Sequence, residues 1–192
     1  MRPDHDPAVS DFSMDSDVTV VTRTQTWLER AVIGLNLCPF AKAVHVRQRI
    51  RYAVTDATDV GQLEDTLVRE LEFLRAKPTI EIETTLLIHP KVLNDFIDYN
   101  FFLAQADATV KRLGLRGTIQ VASFHPQYEF AGSSADDMSN YTNRSPYPML
   151  HLLREESVDR AVAAIPDSAT IVDANVETLR RLGHEGWQRL WL

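Results

Sequence analysis

The stretch "TIQVASFHPQYEFAGSS", residues 118–134, decides the fold because it contains the end of a strand and the start of a long loop. Ile119 and Val121 alternate with small or polar residues, which predicts a strand with one buried face. The strand ends at His125, and the loop over 126–146 exceeds the ~12 to 15 residues usual for connections without secondary structure. The pattern predicts a strand that delivers His125 to a loop-covered edge.

Two further strands precede this one, "RIRYAV" at 49–54 and "TIEIETTLLIH" at 79–89. Between them a helix is predicted from the capping residue Asp59 to just before Pro78. A second helix is predicted over 92–113, with Gly114 as its C′ residue. The order predicts an α/β fold, a small, mostly parallel three-stranded sheet with helices packed on it, in which a βαβαβ core has flanking N- and C-terminal helices.

The remaining segments predict one domain over 18–192 and a disordered tail over 1–17, which is rich in Asp, Ser and Pro. The helical periodicity that starts at Val18 stops at Pro39. Four shorter helical segments are predicted: "PFAKAVH" at 39–45, "PMLHLLRE" at 148–155 with Pro148 at N1, "VDRAVAAI" at 158–165 capped by Ser157, and 171–182, ended by Gly183.

The composition and charge of the chain limit the classes of protein to which it can belong. Apolar residues make up 44% of the chain and charged residues 24%, as in soluble globular proteins. The net charge of −7 makes nucleic acid a poor partner, and no apolar run is long enough to span a membrane. With a single cysteine and no signal peptide pattern, we expect a cytoplasmic protein that binds a small molecule. The oligomeric state and any cofactor stay open.

Two strands end in His-Pro, at His89 and at His125. If these strands are parallel neighbours, both imidazoles stand at the carboxyl edge of the sheet, where α/β proteins collect ligands. The alternation places His89 opposite the buried stripe of Leu86 and Ile88, whereas His125 shares a face with Ile119. We therefore expect proximity rather than a shared ligand, and keep a metal set of His89, His125 and His151 or the loop aspartates as an alternative.

The long loop holds the densest group of polar side chains. Arg144 is followed closely by two prolines in "NRSPYP", and their restricted backbone suits a guanidinium held in place for a carboxylate or phosphate. The other candidate substrate-binding residues are Tyr128, Asn140 and Asn143. In a purely structural reading the loop is a solvated insertion, and Arg144 pairs with Asp136 or Asp137.

Cys38 is the only thiol of the chain. As N-cap of "PFAKAVH" it would sit where a helix lowers the pKa of a thiol, whereas at the end of the first helix the dipole acts the other way. A catalytic set of Cys38, His125 and Asp136 or Asp137 suits thiol-dependent acyl or phosphoryl chemistry. An inert packed thiol is the structural alternative, and Cys-Pro is also an occasional haem ligand.

Five segments together resemble the DUF1415 family of uncharacterised bacterial proteins over about residues 22–182. They are "LNLCPFAK" at 35–42, "LLIHP" at 86–90, "DYNFFL" at 98–103, "SFHPQYEFAG" at 123–132 and "NYTNRSPYPMLHLLRE" at 140–155. The resemblance implies no activity and no residue roles. It draws attention to positions that the physical reasoning also selects, among them Cys38, His89, His125, Arg144 and His151.

These observations predict an enzyme that acts on a small anionic molecule at the carboxyl edge of the sheet, using a Cys/His/Arg polar site. Arg144 is the anion clamp, His125 the acid or base, and Cys38 the possible nucleophile. Two alternatives stay open. One is a non-catalytic protein that binds a metal or a cofactor such as haem, and the other is a module that recognises another protein through the long loop.

Overall fold

The chain folds as a mixed α/β structure, which a computed structural model describes for residues 15–163 and 170–192. Its helices are α1 (Asp17–Trp27), which continues into a π-helix (Leu28–Ile33), α2 (Ala41–Val46), α3 (Val60–Ala76), α4 (Phe96–Arg112), a 3-10 helix (Met138–Thr142), α5 (Glu155–Ala163) and α6 (Ile171–Arg189). Its strands are β1 (Ile50–Val54), β2 (Thr84–Ile88), β3 (Ile119–Phe124) and β4 (Met149–Arg154).

The sheet has four strands in the order β1-β2-β4-β3, so the predicted three-stranded sheet lacked one strand. β1 and β2 are parallel, and β4 runs antiparallel to both β2 and β3. The first three strands therefore still share one direction, and their carboxyl ends meet at one edge. β4 separates β2 from β3, which the sequence had suggested as neighbours.

The predicted helix at 148–155 is wrong, because this segment is the central strand β4. Met149, Leu150 and Leu152 are fully buried, and β4 is paired with a strand on each side. A strand covered on both faces carries a continuous apolar run instead of alternation, which resembles a helix at this length. Sheet pairing overrides the helix propensity of Met and Leu.

Two layers of helices cover the sheet. On the α3/α4 face, Leu87, Leu150 and Ile119 pack against α3 and α4. On the α1 face, Leu86 and Met149 pack against α1 and the π-helix. Because both faces of the sheet are covered by apolar clusters, a ligand site on this sheet is expected at its edges and loops.

Several element boundaries differ from the prediction. β2 begins at Thr84 rather than at residue 79, and Ile80 lies before it with 72% of its surface exposed. α4 begins at Phe96 because Asp95 accepts hydrogen bonds from the backbone of residues 97 and 98. α5 begins at Glu155 rather than after Ser157, and the predicted continuation to 165 ends outside the described residues.

Other predicted boundaries are confirmed. Asp59 caps α3 by accepting from the backbone N–H of Gln62, and Gly114 follows α4 with a φ of 67°. Gly183, with a φ of 64°, interrupts the last helix where the prediction ended it, although helical structure resumes and continues to Arg189.

The predicted tail falls mostly on residues 1–14, outside the described residues. Residues 15–17 belong to the fold, because Ser16 caps α1 and Asp15 pairs with Arg23 at 2.8 Å. In the described ranges, no helix combines the length and the apolar character needed to cross a membrane.

Candidate functional site

The carboxyl edge of the sheet brings together the two histidines that follow β2 and β3. His89 and His125 both contact the ring of Tyr99, with centroid distances of 5.8 and 5.0 Å. Both lie on the α3/α4 face of the sheet, one residue past the end of their strands. The expectation that they occupy different faces was wrong, because β2 is buried on both faces and its apolar residues do not reveal a single core stripe.

His89 lies in a buried environment that satisfies only one of its two ring nitrogens. Its ring is fully buried, and Nδ1 lies 2.9 Å from the carbonyl oxygen of Val92, so Nδ1 carries the proton and donates. Nε2 is left as an acceptor, and no described group bonds to it. Burial lowers the pKa of His89 to about 4, so the ring is neutral near pH 7.

Buried nitrogen atoms without a partner are uncommon, because each one costs roughly 1–3 kcal/mol of desolvation free energy. Nothing within the described residues compensates the lone pair of His89 Nε2. The atom is therefore a fixed, uncharged hydrogen-bond acceptor at the carboxyl edge of the sheet, where ligands bind in α/β proteins.

His125 uses both ring nitrogens within the fold. Nδ1 accepts from the backbone N–H of Gln127 at 3.0 Å, and Nε2 donates to the carbonyl oxygen of Leu93 at 3.2 Å. Leu93 has a φ of 59°, a conformation that is costly for a branched residue, so this bond holds a strained loop. Burial lowers the pKa of His125 to about 4. In this arrangement His125 positions two loops and has no nitrogen left for a ligand.

Tyr99 and its aromatic neighbours form the surroundings of both histidines. The Tyr99 hydroxyl accepts from Phe124 N–H at 3.1 Å and donates to Met149 O at 2.8 Å, so it bridges the register pair at the end of β3 and β4. Phe96 packs against His125 and Tyr128 with centroid distances of 5.4 and 5.1 Å. Sequence reasoning did not select Tyr99 or Phe96 as candidate site residues. The one signal available for Tyr99 was a tyrosine among the core-facing positions of a predicted helix.

His151 does not join the other two histidines. It lies on β4 with its ring on the α1 face, where Nε2 donates to the Thr84 hydroxyl at 2.7 Å, and Thr84 donates to Leu152 O. The three-histidine metal set is therefore divided between the two faces of the sheet. Among the described residues no group of three His, Cys, Asp or Glu side chains could hold a metal ion.

The amide side chains of the long loop hold the loop together. Asn140 is fully buried; its oxygen accepts from Phe130 N–H and the Ser133 hydroxyl, and its nitrogen donates to Ser134 O. Asn143 donates from its side chain to Ser123 O at 3.0 Å. Both residues were predicted to bind substrate, and in the structure their polar atoms satisfy the backbone of the loop and of β3.

Arg144 is a cation held in place by the loop. Nε and one terminal nitrogen donate to Tyr128 O and Ala135 O, at 3.3 and 2.6 Å, and the guanidinium lies 4.3 Å from the centre of the Tyr141 ring. No carboxylate of the described residues pairs with it. The pairing with Asp136 or Asp137 considered in the structural reading does not occur, since Asp137 lies 3.8 Å from Arg180 and Asp136 is exposed.

Asp137 has a local structural role. Its carboxylate accepts from Ser139 N–H at the start of the 3-10 helix, and this bond lowers the pKa of Asp137. Tyr128 is half-buried, and its ring lies between Phe96 and Phe130. No contact among the described residues joins either aspartate to His125 or Cys38.

Cys38 lies on the other face of the sheet, packed at the margin of the apolar cluster beneath α1. The prediction that Cys38 caps the following helix is wrong, because α2 begins at Ala41 and Phe40 is its N-cap. The backbone N–H groups of Phe40 and Ala41 nevertheless act on the thiol and lower its pKa. Burial of the thiol has a larger effect than these two N–H groups, and the net result is a raised pKa of Cys38. Neither His125 nor Arg144 contacts the thiol.

Comparison with known proteins identifies the family of the chain but gives no activity for it. No curated protein and no solved structure matches the chain. A family model described as "Protein of unknown function (DUF1415)" matches residues 19–189, which is most of the chain. The resemblance of the five segments is thereby confirmed: the chain belongs to the DUF1415 family.

Proposed function

We propose that this protein is an enzyme that acts on a small anionic molecule at the carboxyl edge of β2 and β3, with His89 Nε2 as the proton acceptor. The observation that carries the proposal is the buried Nε2 atom of His89, whose lone pair has no partner among the described residues. Its neutral state near pH 7 and its fixed tautomer leave the Nε2 lone pair available to a proton donor. In this proposal the negative charge of the bound ligand raises the low pKa of His89 towards the range in which a general base works. His125, the acid or base of the sequence prediction, positions the loops in this proposal.

The preference for an anion rests on Arg144. Two of its N–H groups bond to loop carbonyls, so the guanidinium is oriented before a ligand arrives, and its remaining donors can form a bidentate pair with a carboxylate or phosphate. Arg144 belongs to the long loop. That loop begins after His125, and His125 and His89 contact the same ring of Tyr99. Tyr128, whose carbonyl accepts from Arg144, contacts Phe96 beside the histidines.

A ligand reaches His89 only if a covering loop moves, because the ring is fully buried. His125 joins the two segments concerned, the loop after β2 through Leu93 and the start of the long loop through Gln127. Loops that open and close over a site are common in enzymes and exclude water during the reaction.

Binding is tested with the full chain and four anions, namely inorganic phosphate, pyrophosphate, acetate and succinate. A ligand at 100 times its Kd stabilises the native state by about 2.7 kcal/mol, which raises the unfolding midpoint by roughly 5 to 11 °C in a chain of this size. We expect one class of anion to produce such a shift, Arg144→Lys to reduce it, and the control Arg160→Lys on exposed α5 to retain it.

The role of His89 is tested with His89→Asn, because the asparagine amide can still donate to Val92 O while the Nε2 acceptor is lost. The matched control is His151→Gln, which keeps the donor to Thr84. We expect the anion to perturb the ¹⁵N resonance of His89 Nε2, and His89→Asn to lose turnover or ligand response. Equal anion responses in the wild type, His89→Asn and Arg144→Lys would refute the proposal.

A second candidate function is supported by the same nitrogen. The bond from His89 Nδ1–H to a backbone carbonyl is the arrangement that orients metal-ligating histidines. Since the described residues contain no three-residue metal group, the metal would arrive with other ligands, as the iron of haem does. Titration with haemin distinguishes the two functions: a red-shifted Soret band that His89→Asn removes and His151→Gln retains supports cofactor binding.

A further inference from the structure

Arg144 is linked through its own backbone to a helix outside the long loop. Trp27, the last residue of α1, donates from its indole Nε1–H to the carbonyl oxygen of Arg144 at 2.9 Å. Trp27 is buried, and its ring meets the ring of Phe124 edge-on at a centroid distance of 5.4 Å. Phe124 is the last residue of β3. Trp27 therefore holds the backbone of Arg144 from a fixed position against the sheet.

The other hydrogen bonds of Arg144 stay within the loop. Nε and Nη2 donate to Tyr128 O and Ala135 O, and the guanidinium lies on the ring of Tyr141. These contacts orient the guanidinium relative to neighbouring parts of the loop. They leave the bond from Trp27 as the hydrogen bond that ties Arg144 itself to a helix, among the residues that the structure describes.

The backbone around Arg144 is held between β3 and α1. On the β3 side, the preceding residue Asn143 donates from its side chain to Ser123 O at 3.0 Å, and its carbonyl oxygen accepts from His125 N–H at 3.2 Å. On the α1 side, Trp27 Nε1–H donates to Arg144 O. A loop residue that is held from both sides presents its side chain in one orientation, which lowers the ordering cost of binding a ligand.

We infer that Trp27 is a positioning residue for Arg144, because its indole N–H fixes the backbone from which the guanidinium reaches the anion. The inference rests on the proposed function, in which Arg144 binds the anionic group of the ligand. A buried indole N–H usually has a partner, so the alternative is a bond that serves stability alone. Only the positioning role makes the anion affinity of Arg144 depend on the Trp27 N–H.

The inference is tested with Trp27→Phe, which keeps an aromatic ring beside Phe124 and removes the donor. The matched control is Thr24→Val, which removes another buried hydrogen bond of α1, from Thr24 Oγ1 to Val20 O within the helix. The full chain is titrated with inorganic phosphate and with succinate. Trp27→Phe should weaken anion binding about 3- to 10-fold, the size of one hydrogen bond, whereas Thr24→Val should leave the affinity unchanged.

A double-mutant cycle separates positioning from a general loss of stability. In combination with Arg144→Lys, the Trp27→Phe change should weaken anion binding much less than it does alone, because both changes act on one interaction. An equal loss of affinity with and without Arg144→Lys would overturn the inference. So would a folded Trp27→Phe variant that binds the anion as tightly as the wild type.

The Nε–H group of Arg144 supplies a readout that needs no ligand. We expect slow exchange of this proton in the wild type and in Thr24→Val, and faster exchange in Trp27→Phe. An unchanged exchange rate in Trp27→Phe would contradict the positioning role. If neither anion binds the wild type, the proposed function fails, and this exchange rate still decides whether Trp27 orders the guanidinium.

The three indole N–H resonances of the wild type extend the test to the case in which Trp27→Phe does not fold. Binding of phosphate or succinate should perturb the Trp27 signal more than the signals of Trp187 and Trp191, since the Trp27 N–H bonds to the residue that holds the anion. A Trp27 signal that stays unchanged while the anion is bound would overturn the inference.

Discussion

Replacing Tyr99 with Phe removes a hydroxyl that the fold uses twice. The hydroxyl links Phe124 N–H to Met149 O at the last pair of the β3–β4 ladder, and the residue is fully buried. Without it two buried backbone groups lose their partner, at roughly 1–3 kcal/mol for each group that stays unsatisfied. If the strands draw together, these groups bond directly and the loss is at the lower end. We expect the free energy of unfolding to fall by about 2 to 4 kcal/mol.

Urea unfolding at pH 7, followed by tryptophan fluorescence, measures this change. The ring stacking of Tyr99 on His89 survives the substitution, so only the hydroxyl is tested. Tyr128→Phe is the matched control, because its half-buried hydroxyl has one long contact, 3.4 Å from the Ser123 hydroxyl, and its removal should cost less than about 0.5 kcal/mol. A loss below about 0.5 kcal/mol for Tyr99→Phe, with unchanged exchange of the Phe124 amide, would refute the bridging role.

Three further predictions follow from the same environments. Burial holds the pKa of His89, His125 and His151 at about 4, below the ~6.5 of an unfolded chain, so the unfolded state binds protons first. Stability should therefore fall between about pH 6.5 and 4, by on the order of 3 kcal/mol for each histidine, and urea unfolding that is flat from pH 7 to 5 contradicts this. Asn140→Ala should lower the free energy of unfolding by roughly 2 to 4 kcal/mol and speed exchange of the Phe130 amide, because it removes the three hydrogen bonds of a buried side chain; an unchanged urea midpoint and an unchanged exchange rate of that amide would count against it. Cys38, with its raised pKa, should react with iodoacetamide much more slowly in the native chain than in urea, and equal rates would show an exposed, activated thiol.

The strands and helices that alternate or carry caps could be predicted from the sequence. Asp59 and Gly114 mark helix ends by local chemistry, and β1 and β3 alternate larger apolar residues with polar or small ones. β4 could not be predicted this way, because its run of Met149 to Leu153 is buried on both sides and has no single period. Only its two neighbours in the sheet determine that it is a strand.

The edge that carries the candidate site could be located from the sequence, but the roles of its residues could not. Asn140 and Asn143 are polar residues in a long loop, which indicates binding, yet a loop of this length must satisfy its own backbone and uses them for that. His89 and His125 follow strands with the same His-Pro ending. Their difference depends on which carbonyls and N–H groups surround each ring, and that is a property of the folded loops.

The most direct test of the proposed site is the ¹⁵N NMR spectrum of the His89 imidazole in the full chain. The structure requires a protonated Nδ1, an unprotonated Nε2, and no titration of the ring between pH 7 and 6. A ligand of the site should then shift Nε2 more than Nδ1. A ring protonated on Nε2, or one that titrates near the ordinary pKa of histidine, would contradict the assignment of His89 as the proton acceptor.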